Sequence, residues 1–111
     1  TLSCELPKTL VKKNDIHITS KRNFDCFQDT ELDMLLKRTL AVKNIIICGV
    51  NTDTCVYGTT FGASNRGYNP IVIECCTGSM RGEEQHQTAL KIMSQSIAWV
   101  MKKEEILNKL N

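Results

Sequence analysis

Cys55 has the residue type and position best suited to covalent chemistry, because it follows a short polar turn at the end of an apolar run. The side chains of this turn, Asn51, Thr52 and Asp53, are of the kind that begin helices. Cys55 would therefore lie in a first helical turn, where unpaired N–H groups and the positive end of the helix dipole favour a thiolate. The same N–H groups could stabilise an oxyanion. A cysteine in a helix is more often a small apolar side chain, so both interpretations remain open here.

Two glycines follow this cysteine at helical spacing. Gly58 and Gly62 lie on the same predicted helix face as Cys55. Each costs about 1 kcal/mol relative to alanine in a helix interior, so something must offset that cost. Either a neighbouring element approaches the helix closely, or a substrate occupies the space beside the thiol. Close packing is the commoner of the two reasons.

The elements that would position these residues alternate along the chain as short apolar runs and amphipathic segments. The predicted strands are Ile16–Thr19, Asn44–Val50, Ile71–Ile73 and Ile97–Met101. The predicted helices run from Thr30 to Leu40, from the turn after Gly49 to about Arg66, from Glu83 to about Ser94 and from Glu104 to Leu110. Three consecutive isoleucines predict that the second strand is buried on both faces. This order predicts an α/β fold, a parallel sheet covered on both faces. Ligands bind such sheets outside the carboxyl ends of the strands, which places the site at the turn before Cys55.

Composition excludes several classes of partner. The chain has 111 residues, enough for one domain, and 14 basic against 12 acidic residues give it a net charge of +2. This charge is too small to indicate a nucleic acid or an anionic membrane as partner. The longest apolar run, Ile45–Cys48, falls far short of the ~20 residues that span a bilayer. No glycine-rich phosphate-binding motif is present, so no nucleotide cofactor is expected.

Metal-binding and disulfide patterns are also absent from the sequence. Six cysteines without a CxxC pair predict reduced thiols in a cytoplasmic protein: Cys4, Cys26, Cys48, Cys55, Cys75 and Cys76. The adjacent Cys75 and Cys76 are expected to pack in the core, since a redox switch would need a partner thiol nearby. His17 and His86 are too far apart to predict a zinc site. We expect His17 to be packed or solvent-facing and His86 to lie on a helix surface.

Two separate motifs carry a resemblance to a known family. The first is Gly49–Val56 (GVNTDTCV), with Thr59, Ala63 and Arg66–Tyr68 after it. The second lies upstream, Lys21–Phe27 (KRNFDCF), and is followed by Thr30, Leu32 and Leu36. Downstream residues fit the same pattern: Glu84, His86, Ala89, Leu90 and Trp99. From about Asp15 to Leu107 the chain resembles the isochorismatase-like cysteine hydrolases, whose fold is a three-layer αβα sandwich with a Rossmann-like parallel sheet.

The resemblance implies a mechanism and a set of site residues. Cys55 would attack the carbonyl carbon of a small amide, ureido or carbamoyl substrate and form a thioester, with Lys21 beside it at the end of its strand. The family's non-proline cis peptide would fall between Val50 and Asn51, and the backbone amides of Asn51 and Cys55 would form the oxyanion hole. No metal or other cofactor is implied. The alternative is a family relative that keeps the fold and only binds or assembles.

The chain departs from the family pattern in three places. The family's catalytic aspartate belongs near the end of an earlier strand, and Asp15 stands too close to Lys21 in sequence to take its place. We therefore expect residues 1–111 to be the C-terminal portion of a single domain, lacking its N-terminal strands and leaving a sheet edge unpaired. The expected partners are a small-molecule substrate and either further copies of the chain or the N-terminal segment. Gly62 replaces a usual acidic residue, and Cys75 stands where an aspartate is common.

Overall fold

The structure, a computed structural model, describes residues 8–110 and contains a parallel sheet with helices on both faces. The strands are β1 (Asn44–Val50), β2 (Asn69–Gly78) and β3 (Trp99–Met101), in the order β1-β2-β3. The α-helices are α1 (Leu32–Met34), α2 (Tyr57–Asn65), α3 (Glu83–Ser96) and α4 (Lys103–Leu110). Helix α1 continues as a π-helix (Leu35–Thr39), and a π-helical turn (Thr52–Val56) precedes α2. The predicted αβα architecture is confirmed.

Alternation along the strands divides the core between the two faces of the sheet. Ile47 of β1 and Val72 of β2 pack with the start of α2 and with α3. Ile73 of β2 points the other way and packs with Met101 and with Ile106 of α4. Because successive strand side chains point to opposite faces, one strand serves both layers. α2 and α3 thus cover one face of the sheet and α4 covers part of the other.

Helix α2 begins and ends where the sequence requires. Its last turn closes with the Tyr68 N–H donating to the Ala63 carbonyl at 3.0 Å. Gly67, just before Tyr68, has φ +89°, a left-handed conformation that suits glycine at a helix end. The chain then enters β2, which pairs in parallel register with β1, Ile46 opposite Ile71. At the other end of α2, the turn Thr52–Val56 joins it directly to the carboxyl end of β1, so that both lie at one edge of the sheet.

Four sequence-based expectations about this framework are wrong. The segment Ile16–Thr19 is not a strand, since within residues 8–110 it has no ladder partner and Ile16 stays exposed. The predicted helix from Thr30 is helical only from Leu32, and most of it has π-helical geometry. β1 is covered on one face only, where Ile45 and Ile47 are half-buried. On the other face Ile46 is 46% exposed, because the α4 core cluster contains residues of β2 and β3 and none of β1.

The fourth correction concerns the adjacent cysteines, which are exposed rather than packed in the core. They lie in β2 beyond Ile73, the last residue that pairs with β3. The β1–β2 register also shifts there, between Ile47 and Gly49. Cys75 and Cys76 therefore extend past the part of the sheet that α4 covers, with their sulfur atoms 4.0 Å apart. Cys4 lies outside the described residues.

None of the helices in the described part of the chain is long and apolar enough to cross a membrane.

Candidate active site

Cys55 lies in the π-helical turn that follows β1, at the predicted end of the sheet. Its half-buried side chain lines a cleft of about 180 Å³. Lys21 lines the same cleft, and its Nζ is 3.8 Å from the Cys55 sulfur. A positive charge at this distance in a partly buried site attracts negative charge more strongly than it would in water. The fold therefore brings together a nucleophile and a positive charge that belong to two separate motifs, 34 residues apart in sequence.

A larger cleft of about 490 Å³ lies nearby, at the ends of β2 and β3. Its walls carry carboxylates and lysines, among them Glu74, Glu83 and Lys102. Cys75 also lines it, and no lysine is hydrogen-bonded to that sulfur within residues 8–110. We assign the chemistry to the smaller cleft because there the thiol and the ammonium group meet.

The loop that carries Lys21 is docked on α2 by hydrogen bonds to one buried hydroxyl. The backbone N–H of Cys26 donates to Thr59 Oγ1 at 3.0 Å, and the same hydroxyl donates to the Phe24 carbonyl at 3.2 Å. Gly58 lies one residue before this hydroxyl, and a Cβ there would come within 3.2 Å of the Phe24 side chain. The loop thus lies directly against α2, the helix that follows the Cys55 turn, which brings Lys21 to the sulfur.

Gly62 accommodates a carboxylate rather than a substrate. The Asp25 side chain lies so close that a Cβ on Gly62 would be 2.5 Å from both of its oxygens. One of these oxygens accepts the Phe27 N–H at 2.8 Å, and the other accepts Arg66 Nη1 at 3.2 Å. A carboxylate from the facing loop therefore lies beside the helix position where the resemblance implies an acidic side chain. This contact supports the packing explanation for the glycine.

The polar turn before Cys55 is held by the segment that leads into α3. Asn51 Oδ1 accepts the backbone N–H of Met80 at 3.0 Å, and Asp53 accepts Ser79 Oγ at 2.7 Å and Arg81 Nη1 at 2.8 Å. The Ser79 hydrogen bond, followed by Arg81, holds the pKa of Asp53 below its usual value. The expectation that these side chains cap the helix is wrong at Asn51, whose side chain makes no capping bond.

His86 is a site residue that sequence reasoning placed wrongly. It is buried, not on the helix surface, and its Nδ1 is hydrogen-bonded with Thr52 Oγ1 at 2.7 Å. A signal for this burial exists in the sequence, because His86 precedes Ala89, Leu90 and Met93 by three, four and seven residues. That spacing defines one face of a helix, and all three of those residues are buried.

The backbone of the turn has the form that the resemblance implies. The peptide bond between Val50 and Asn51 is cis. The Asn51 carbonyl accepts two N–H groups of the turn, from Thr54 at 3.2 Å and Val56 at 3.1 Å. The N–H of Cys55 lies between these two in sequence, on the same turn as its own sulfur. Of the two residues expected to donate to an oxyanion, Asn51 thus immediately precedes this turn and Cys55 lies within it.

The described residues include no group of three or more histidine, cysteine, aspartate or glutamate side chains suited to a metal ion. The five cysteines among them are free thiols. Asp15 is exposed and accepts the Lys12 N–H at 2.7 Å, and none of the described residues lining the Cys55 cleft is a carboxylate.

Comparisons with known proteins indicate one family. The sequence model of the Isochorismatase domain family matches residues 3–105. The uncharacterised isochorismatase family protein YecD of Escherichia coli O157:H7 is 34% identical over 98 residues, 87% of this chain and 50% of that protein.

Two solved structures are similar in fold. The nicotinamidase SaPncA from Staphylococcus aureus is 35% identical with a TM-score of 0.68, over 73% of this chain and 51% of that one. An isochorismatase-like hydrolase from Alkaliphilus metalliredigens is 27% identical with a TM-score of 0.86, over 96% of this chain and 57% of that one. The chain spans about half the length of the curated relatives it matches.

Proposed function

This chain belongs to the isochorismatase family, and from that premise we propose that it carries the nucleophile of a cysteine hydrolase acting on a small amide, ureido or carbamoyl compound. The observation that carries the proposal is the 3.8 Å separation of Lys21 Nζ from Cys55 Sγ at the carboxyl end of β1. The similarity to a nicotinamidase supports a carbon–nitrogen bond as the target.

In the proposed reaction, the Cys55 thiolate attacks the carbonyl carbon and a C–S bond forms. The oxyanion that develops is stabilised by the backbone N–H groups of Asn51 and Cys55. The C–N bond then breaks, the nitrogen leaves with a proton, and a thioester remains on the sulfur. Water then attacks the thioester carbon and gives a proton to the acid–base group, the C–S bond breaks, and the acid and the Cys55 thiolate are released. The Lys21 ammonium group lies 3.8 Å from the sulfur that attacks and that is released again by hydrolysis.

The proton for the leaving nitrogen needs a separate acid, which we assign to a carboxylate from outside the described residues. The family pattern includes such an aspartate, and the described lining of the cleft contains none. Without it, proton transfer would be slower by a factor of about 10²–10⁴. The same observation favours a second candidate function, a family relative that binds a small molecule or assembles without turnover.

Thiol labelling separates the two candidates. Iodoacetamide at neutral pH should label Cys55 faster than Cys48, although Cys48 is exposed and Cys55 is half-buried. Access alone would give the opposite order, so the expected order shows an activated thiolate. Mass spectrometry of the labelled peptides gives both rates in one experiment. If Cys55 reacts no faster than Cys48 or Cys26, the hydrolase proposal fails and the binding function is favoured.

Turnover is tested with a panel of small amides, ureas and carbamoyl compounds. Ammonia or amine release should disappear in Cys55→Ala and persist in Cys75→Ala, an exposed thiol on β2 that serves as the matched control. An acyl group trapped on the Cys55 peptide would identify the thioester. Release that continues in Cys55→Ala would contradict the assigned nucleophile.

A further inference from the structure

The hydrogen bond between Thr52 and His86 is a buried side-chain contact between the nucleophile turn and α3, beside the apolar packing of Val56 on the same helix. Thr52 is 0% exposed and His86 is 6% exposed, and the two atoms are 2.7 Å apart. Among the other side-chain bonds that hold this turn, those from Met80 and Arg81 lie at exposed residues and the one from Ser79 is only partly buried. Water can replace an exposed hydrogen bond at little cost, whereas it cannot reach a fully buried one.

A histidine at this position is otherwise unfavourable. The remaining buried residues of α3 are apolar, namely Ala89, Leu90 and Met93. Burying an imidazole without a partner costs about 1–3 kcal/mol, while an apolar side chain there would extend the core. The cost is avoided here because the ring nitrogen and the Thr52 hydroxyl satisfy each other. No buried side-chain nitrogen or oxygen among residues 8–110 lacks a partner.

Because Thr52 lies on the same turn as Cys55, its hydrogen bond to His86 helps to fix the position of the nucleophile. Thr52 is the first residue of the π-helical turn, and Cys55 lies three residues later on the same turn. The turn closes through the Asn51 carbonyl, which accepts the N–H groups of Thr54 and Val56. A rotation of Thr52 would therefore move the whole turn, and with it the 3.8 Å separation of Cys55 Sγ from Lys21 Nζ.

We propose that His86 is a positioning residue: through Thr52 Oγ1, its Nδ1 holds the nucleophile turn so that the Cys55 sulfur faces the Lys21 ammonium group. The inference rests on the proposed function in that this pair is taken as the reactive one. His86 lines the neighbouring 490 Å³ cleft and is absent from the lining of the Cys55 cleft, so it acts through another residue and not on the substrate.

The test compares pairs of variants that differ in one polar atom. His86→Asn keeps a polar atom near the place of Nδ1, whereas His86→Gln moves it toward the place of Nε2. Thr52→Ser keeps the hydroxyl, and Thr52→Val removes it at nearly constant volume. The rate of Cys55 labelling by iodoacetamide is measured relative to Cys75 in the same molecule. We expect the ratio to fall about tenfold in the Gln and Val variants and to change little in the Asn and Ser variants.

Two controls keep a structural role distinct from positioning. Ile106→Ala removes core contacts on the opposite face of the sheet and should lower the unfolding temperature without changing the labelling ratio. If one variant of a pair fails to fold, the other pair decides. Equal ratios in His86→Asn and His86→Gln, or in Thr52→Ser and Thr52→Val, would overturn the proposal. So would an equal fall in Ile106→Ala.

Hydrogen exchange separates failure of this inference from failure of the proposed function. The Thr54 and Val56 N–H groups should exchange faster in His86→Gln and Thr52→Val than in the variants that keep the polar atom. This readout does not depend on thiol reactivity. Faster exchange together with an unreactive Cys55 in the unaltered chain would support the positioning role of His86 and overturn the hydrolase proposal. Unchanged exchange in all four variants would overturn the positioning role.

Discussion

Replacing Gly62 by alanine tests whether the Asp25 carboxylate is the reason that α2 requires a glycine at this position. The backbone at Gly62 is helical without a positive φ, so alanine meets no strain there. The added Cβ would lie 2.5 Å from both carboxylate oxygens, about 1 Å closer than ordinary contact between heavy atoms. The carboxylate must therefore move away, and it cannot do so without weakening its bonds to the Phe27 N–H and to Arg66.

The size of the effect follows from opposing contributions. A hydrogen bond to a charged group contributes about 1.5–3 kcal/mol, and an ion pair whose side chains are 28% and 24% exposed contributes about 1 kcal/mol or less. Alanine in place of glycine favours the helix by about 1 kcal/mol. We therefore expect Gly62→Ala to lower the free energy of unfolding by about 1–2 kcal/mol. In urea the midpoint should fall by about 0.5–1 M, at an unchanged slope.

The decisive comparison is the same change in a chain without the carboxylate. In an Asp25→Ala background nothing opposes the new methyl group, so Gly62→Ala should stabilise the protein by up to about 1 kcal/mol. The sign of the effect reverses, which a general defect in helix packing would not produce. A stabilising effect of Gly62→Ala in the unaltered chain, or an undiminished loss beside Asp25→Ala, would refute the reasoning.

Three further measurements address other contacts. Lys21→Gln should slow iodoacetamide labelling of Cys55 at neutral pH by about tenfold, because it removes the cation 3.8 Å from the sulfur; an unchanged rate would exclude that role. Burial and the nearby Asp33 raise the pKa of Tyr68 to about 12. The unfolded state then loses this proton first, so stability should decrease from pH 10 to about pH 12, and Tyr68→Phe should abolish that decrease in urea titrations. Met93→Ala should cost about 2–5 kcal/mol in the same assay, since this side chain is fully buried.

The sequence was informative where one local pattern decides the outcome. Consecutive β-branched residues predicted β1 and β2, and the glycine and proline after Arg66 marked the end of α2. The two motifs predicted which family the chain belongs to. The separation of Cys55 and Lys21 along the chain gave no distance between them. That distance depends on how the Phe24–Cys26 loop docks on Thr59, a contact between distant segments that carries no local signal.

The expectations that proved wrong depended on which elements cover a given surface. Alternation at Ile16–Thr19 is compatible with a strand, but pairing needs a neighbour that the pattern does not name. Three isoleucines predict burial on both faces only where a helix covers each face, and α4 is too far along the sheet to cover Ile46. His86 was placed wrongly for another reason. The prediction followed its polar residue type, whereas its helical spacing to Ala89, Leu90 and Met93 correctly indicated a buried position.

The π-helical turn at Thr52–Val56 also constrains how the chain can change in length. Its closing bond, from the Val56 N–H to the Asn51 carbonyl, spans one residue more than an α-helical bond would. Deleting a single residue such as Thr54 would restore the ordinary pitch and turn the following side chains by about 100° about the helix axis. Insertions and deletions should therefore be excluded from these five positions even where substitutions are tolerated, so that natural variants would keep the spacing from Asn51 to Val56 constant.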